Sequence, residues 1–363
     1  MLKIIKKWAT FDYLLFLAII ILLALSLSIL YSLQFNNEAA VLVFRKQIVF
    51  SFLGILLFFM VSKINYKIYF TYSKLIYLIG IISLLLVLFL GTEIRGTTGW
   101  IKLGFLGVQP VEFVKLALII YLAKYFSENC DNFKLFRYIF NSGVITFLSI
   151  FLVILQPDLG SAFVLLGIWI IMLLFTGIQK KHFIYLFSLA IVIITLAWFF
   201  IFKDYQKARI FTFFNPTSDP LGSGYNVTQS IIAVGSGKLF GRGLALGSQS
   251  SLNFLPEPGT DFIFSVIAED LGFLGVLLLL SLFFFIFQRL FLIMKKTNDN
   301  FAAYFILGLL ALLIIQIFIN VGMNMGISPI TGISLPLVSA GGSSLLAIMI
   351  GLGIVENIRF NSK

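Results

Sequence analysis

The sequence predicts an all-α polytopic membrane protein with ten transmembrane helices. Three observations carry that prediction. Hydrophobic residues make up 60% of the 363-residue chain and charged residues only 11%, with a mean hydropathy of +1.07; a soluble domain is about a quarter charged. Apolar runs near ~20 residues, enough to cross a ~30 Å hydrocarbon core, recur down the chain. The cations gather in alternate connections, as the cytoplasmic loops of a membrane protein require.

The predicted spans are 11–33, 47–62, 73–90, 111–127, 138–156, 159–178, 183–202, 262–288, 302–325 and 334–357. With the N-terminus inside, sixteen of the twenty-six cations fall in cytoplasmic segments, nine fall outside and Lys115 lies within a span. Both termini are therefore predicted to be cytoplasmic. One long extracytoplasmic loop, 203–261, joins helices 7 and 8 of a single transmembrane domain. The first apolar run follows Lys3, Lys6 and Lys7 and has no A-x-A-like cleavage site, which predicts an uncleaved helix. The net charge of +11 suits flanks beside anionic lipid better than nucleic acid. Cys130 and the only histidine, His182, both fall in predicted cytoplasmic loops. Ser-His and Cys-His nucleophiles and His-ligated zinc are thereby excluded on the outer face.

The outer connections carry most of the glycine, proline and buried polar residues. Arg45 and Lys46 stand at the mouth of the second span, either as a snorkelling pair or as a clamp for an anionic headgroup. The glycine-rich run GTEIRGTTGWIKLGFLGVQPVEFVK (91–115) predicts a compact folded loop bearing Arg95 and Lys102, with Trp100 as an interfacial anchor. Pro110 suits the first turn of the fourth helix. Glu112 and Lys115 share a face one turn inside that helix, as a structural ion pair or as a pair lining a site. In QPDLGSA (156–162), Asp158 is placed to cap the sixth helix, a role compatible with a second one.

The long loop holds Lys207, Arg209, Lys238 and Arg242. Its run GSGKLFGRG has neither the spacing nor the preceding strand of a Rossmann or Walker fingerprint. Glycines beside two cations nevertheless suit a backbone approach to phosphate. Residues 253–275 then place four acids together: Glu257 between two prolines, Asp261 where polar loop becomes apolar helix, and Glu269 and Asp270 two or more turns in. The last connection puts Asn320 and Asn324 on one side of the ninth helix, and its prolines and glycines predict broken helix ends. Ser343 and Ser344 there face either a ligand or a neighbouring helix.

The runs QPVEFVKLALIIYLA, QPDLGSA, DPLGSGYNVTQSIIAVGSGKLFGRGL, LPEPGTDFIFSVIAEDLGFLG and PITGISLPLVSAGGSSLL together resemble the SEDS family (shape, elongation, division and sporulation), of which RodA and FtsW are branches. The likeness spans about residues 45–355, with the motifs in the family's order. LxxGSQSSLNFLPE (244–257), QPDLGSA and Thr331-Gly332 look more like the RodA branch. The resemblance implies a peptidoglycan glycosyltransferase of the cytoplasmic membrane that polymerises lipid II, the undecaprenyl-pyrophosphoryl disaccharide-pentapeptide. It also implies a class B penicillin-binding protein as partner. Asp261 matches the family's catalytic aspartate, Glu112 and Lys115 its QPxExxK pair, and Asp158 its QPDLG aspartate. Gly259 replaces a common His, Val111 a Ser and Ala340 a Tyr, and Thr98-Gly99 stand where a basic residue is common before Trp100.

Chemistry agrees with that assignment. Transfer from a diphosphate donor needs a base for the acceptor hydroxyl and positive charge for the leaving group. The outer cations Arg45, Lys46, Arg95, Lys102, Lys115, Lys207, Arg209, Lys238 and Arg242 are candidates for the latter, and Glu257, Ser343 and Ser344 for substrate contact. A divalent cation, magnesium or manganese, is left open as a helper. A division-specific FtsW-like polymerase, a lipid II transporter and a non-catalytic scaffold are the competing readings.

Overall fold

The computed structural model of the chain describes residues 11–35, 38–94, 97–103, 106–129, 136–179, 223–252 and 254–361, with isolated positions between 181 and 213. Its helices are α1 (Tyr13–Gln34), α2 (Glu38–Lys63), α3 (Lys67–Leu90), α4 (Pro110–Glu128), α5 (Phe136–Leu155), α6 (Leu159–Leu174), α7 (Ser223–Ser236), α8 (Ser248–Ser251), α9 (Ile263–Lys296), α10 (Asn300–Asn324) and α11 (Gly342–Asn361). Among the described residues, seven are long and apolar enough to cross a membrane, namely α1, α2, α3, α5, α9, α10 and α11; α6 is a shorter apolar helix. Their exposed faces carry large apolar side chains such as Phe52, Phe89, Phe151 and Phe284, as lipid contact demands. The seventh predicted span, 183–202, lies outside the described residues except at isolated positions.

α10 and α11 form the centre of the bundle, 67% and 78% buried, while α3 at 22% lies on its rim. The most extensive pairings are α11 on α2, α3 on α4, and α10 on both α4 and α6. At the end of the bundle away from the loops, Asp12 (1% exposed) accepts from Arg289 Nη2 at 2.7 Å and lies 3.1 Å from Arg359 Nη1. Its own N–H donates to Glu356 at 2.9 Å. This network closes α1, α9 and α11 together through charges that would otherwise be stranded in an apolar core.

The all-α expectation needs correcting between α3 and α4. There β1 (Thr92–Ile94), β2 (Thr97–Leu103) and β3 (Leu106–Val108) form an antiparallel sheet in the order β1-β2-β3. Ile101 pairs with Val108, Lys102 with Gly107 and Leu103 with Leu106. The sheet satisfies backbone groups that a connection of this length would otherwise leave open. Three helix starts also move, with α3 beginning at Lys67 and not 73. α2 begins well before residue 47, so Arg45 and Lys46 are helical rather than in a loop. α11 begins eight residues after 334, because Pro336 and a left-handed Leu337 (φ 63°) hold 335–341 in turns.

The loop before α9 folds onto a break in that helix. Gly272 (φ 66°, ψ −163°) interrupts the 34-residue α9. Segment 237–243 fills the gap with four backbone bonds: Arg242 N to Glu269 O (2.9 Å), Gly243 N to Asp270 O (3.0 Å), Phe273 N to Lys238 O (2.8 Å) and Leu274 N to Leu239 O (3.2 Å). A Cβ on Gly237 would strike Ala268 O, one on Gly241 would strike Asp270 O, and one on Gly272 would strike Gly241 N. Gly237 and Gly241 of GSGKLFGRG thus serve close backbone-to-backbone approach. The two buried acids below the break complete the seam: Glu269 accepts from Gln249 N (2.8 Å) and Ser250 N (3.0 Å), and Asp270 from Ser32 Oγ (3.1 Å). Gly272→Ala is expected to lose about 1–3 kcal/mol from the left-handed conformation alone, with the clash adding to it. Thermal unfolding of the detergent-solubilised protein reads the loss, and an unaltered midpoint would contradict the seam.

Candidate active site

A cavity of about 80 Å³ forms where four helices begin. Glu112 and Lys115 reach it from the first turns of α4, Asp158 and Ser161 from the start of α6, Thr260 and Asp261 from the approach to α9, and Ser343 and Ser344 from the first turn of α11. Trp100 of β2, Gln109 and turn residues 332–334 and 340–341 complete the wall.

The approach to α9 is held by its backbone. Three successive carbonyls each accept a bond from elsewhere in the chain. Gly259 O accepts from Ala340 N at 2.9 Å, Thr260 O from Ser339 Oγ at 2.6 Å, and Asp261 O from both Asn320 Nδ2 (3.1 Å) and Asn324 Nδ2 (3.0 Å). The asparagines are themselves fixed: Asn320 Nδ2 also donates to Ile333 O at 2.8 Å, and Asn324 Oδ1 accepts from Ser265 Oγ at 2.6 Å. Their i, i+4 spacing on α10 brings both carboxamides to one carbonyl. Gly332, at φ 72°, packs beside the Asp261 carboxylate, its missing Cβ lying 3.6 Å from Oδ2. A Cβ at Gly259 would meet Leu30 of α1 at 2.9 Å, so a side chain there starts against α1.

Across the cavity, Lys115 Nζ donates to Glu112 Oε1 at 2.7 Å, with side chains only 2% and 10% exposed. This pair is both a structural ion bridge and part of the cavity wall. Asp158 caps α6 through Ser161 N (2.9 Å) and accepts from Gln109 Nε2 at 3.3 Å. Gln109 N in turn donates to Ser343 Oγ at 2.9 Å. Three carboxylates against one ammonium leave the lining with a formal charge of −2. Four helix N-termini, each worth about half a positive charge, offset it.

Of the candidate residues, Glu112, Lys115, Asp158, Asp261, Ser343 and Ser344 all line this one cavity. The peripheral cations do not. Arg45 and Lys102 are exposed, and they, Lys46 and Lys207 are absent from the cavity lining. Lys238 and Arg242 sit exposed at the α9 seam, where Arg242 Nη1 donates to Ser248 Oγ at 2.9 Å. Glu257, exposed and at φ 49°, shapes the turn by accepting from Thr260 N at 3.2 Å. Arg95 and Arg209 lie outside the described residues. Gln109, Thr260 and Ser339 were missed from the sequence; Gln109 was signalled only as the residue before Pro110. Among the described residues no group of three or more His, Cys, Asp or Glu side chains is arranged to hold a metal ion.

A helical membrane bundle with a buried acidic cavity at the start of four helices defines an integral-membrane protein with a polar site at one bilayer face. The chain belongs to the FtsW/RodA/SpoVE family, whose model, described as cell cycle protein, matches residues 7–363. It is 36% identical to stage V sporulation protein E of Bacillus subtilis over 358 residues, covering 96% of each chain. It is also 36% identical to peptidoglycan glycosyltransferase MrdB of Escherichia coli over 318 residues, covering 86% of this chain and 84% of that one. Among solved structures, it matches a chain from a study of polymerization and crosslinking by a peptidoglycan synthase complex, with a TM-score of 0.84 at 30% identity over 97% and 98% of the two chains. The rod shape determining protein RodA of Thermus thermophilus matches with a TM-score of 0.70 at 28% identity over 97% of each chain.

Lys115→Met strands Glu112 in the core and is expected to cost about 3–5 kcal/mol. The double variant Glu112→Gln/Lys115→Met is expected to recover most of that in the same unfolding assay. A Lys115→Met protein as stable as the parent would show that the pair carries no buried charge.

Proposed function

We propose that the chain is a peptidoglycan glycosyltransferase that polymerises lipid II at the outer face of the cytoplasmic membrane, with Asp261 as the general base. The observation that carries this reading is the pinned approach to α9: three bonded carbonyls present one carboxylate to a cavity shared with the Glu112–Lys115 pair. The acceptor hydroxyl attacks the donor's anomeric carbon, its proton passes to Asp261, and the carbon–oxygen bond to the diphosphate breaks with both electrons leaving on oxygen. A diphosphate is already a good leaving group, so one carboxylate suffices where a glycosidase uses two. A cavity of about 80 Å³ holds a few waters and no disaccharide. The sugars therefore lie across its mouth and only the reacting groups enter. The acids of the cavity offer no ready donor set for the divalent cation left open above, and no step here runs through one.

The topology assigned to this reading has ten spans, both termini cytoplasmic, and the cavity outward. In its support, Lys63, Arg289, Lys295, Lys296 and Arg359 all fall at the helix ends opposite the cavity. The likeness to RodA structures favours service in elongation and cell shape. The likeness to a chain of a peptidoglycan synthase complex supports a class B penicillin-binding protein as partner.

The test supplies fluorescent lipid II in detergent to the purified chain, alone and with that partner. Asp261→Asn is expected to lower polymer formation by about 10²–10⁴-fold while keeping its chromatographic behaviour. Asn324→Ala, acting through the Asp261 carbonyl, is expected to lower kcat with little change in KM. Polymerisation undiminished by Asp261→Asn would remove the base assignment, and lipid II crossing liposomes without polymer would favour transport.

A further inference from the structure

The geometry points to the first turn of α11 as the seat of the substrate's diphosphate. This inference rests on the glycosyltransferase reading and names the subsite for its leaving group. Of the four helix starts at the cavity, those of α4, α6 and α9 each bring a carboxylate: Glu112, Asp158 and Asp261. α11 begins Gly342-Ser343-Ser344 with no acidic residue in its first turn. The first amides of a helix have no acceptor within it, and here the earliest backbone bond runs from Leu345 N to Gly341 O at 2.9 Å.

Ser344 supplies the independent observation. It is 7% exposed, lines the cavity, and its Oγ has no hydrogen-bond partner among the described residues. A buried hydroxyl without a partner is costly in a folded protein, and a ligand oxygen would satisfy it. Ser343 Oγ accepts from Gln109 N, so its proton remains to be donated. Two hydroxyls, the open amides and the positive end of a 20-residue helix make an anion seat of uncharged donors. Among the described residues the only cation in the lining, Lys115, is already paired with Glu112. An anion entering beside three carboxylates therefore has the start of α11 as its favourable contact.

The test measures affinity for undecaprenyl diphosphate, undecaprenyl monophosphate and inorganic diphosphate on the full-length chain in detergent. Quenching of tryptophan fluorescence is a suitable signal, since Trp100 lines the cavity. Ser344→Ala is expected to weaken undecaprenyl diphosphate about tenfold and the monophosphate much less. Ser344→Asp is expected to weaken it at least as far, because a carboxylate in the first turn suits the helix dipole yet repels the ligand. Asp261→Asn, which removes one of the three lining carboxylates, is expected to raise diphosphate affinity. Binding needs no turnover, so a chain that binds diphosphate in this pattern without polymerising would refute the enzyme reading alone. Unchanged affinity in both Ser344 variants would overturn the subsite, as would equal losses for mono- and diphosphate lipids. Inorganic diphosphate binding as tightly as the lipid form would overturn its assignment to the lipid substrate.

Discussion

A backbone carbonyl inside a membrane bundle has no water to turn to, so each departure from helix has to be bonded by another part of the chain. The approach to α9 meets that requirement at Gly259, Thr260 and Asp261. The bonds come from two distant elements, the carboxamides of α10 and the turn before α11. Satisfying those carbonyls also fixes the direction in which Asp261 presents its carboxylate. Structural necessity and the placement of the Asp261 carboxylate are thus one arrangement here, held by two helices that are mostly buried in the bundle.

Charge is managed by geometry more than by counter-ions. Three carboxylates and one lysine would be an unfavourable group in an apolar core. Bringing four helix N-termini to the same point supplies distributed positive potential without adding a titratable group. Of the long loop's cations, the described Lys207, Lys238 and Arg242 are absent from the wall. Lys238 and Arg242 instead stand exposed beside Leu239 and Phe240, a composition suited to the bilayer surface.

The sequence made the carboxylates of the site legible because an ionisable residue in a chain this apolar stands out, and because Asp158 and Asp261 stand at readable helix starts. Ser343 and Ser344 were visible from the glycines before them. The rest was hidden for physical reasons. Thr260 and Ser339 act through backbone groups and Gln109 through bonds to Asp158 and Ser343, distant in sequence, and neither leaves a mark on composition or period. The glycines of GSGKLFGRG suggested phosphate binding, whereas close contact between two backbones asks for the same residue. The sheet at 92–108 was obscured because its glycines interrupt the alternation by which strands are recognised. The start of α2 was misjudged because long cationic side chains tolerate a helix at the bilayer edge.

The break at Gly272 also sets a length. Unbroken, a 34-residue helix would run about 51 Å, well past the ~30 Å of hydrocarbon. The part beyond Gly272, about 24 residues, matches the bilayer; the short part before it does not have to. Segment 237–243 bonds to both parts across the break, and Leu239, Phe240 and Leu246 stand exposed beside it. Asp261 is moored to α10 by two bonds to its carbonyl. The extra length of α9 is thereby taken into a folded cap on the bundle.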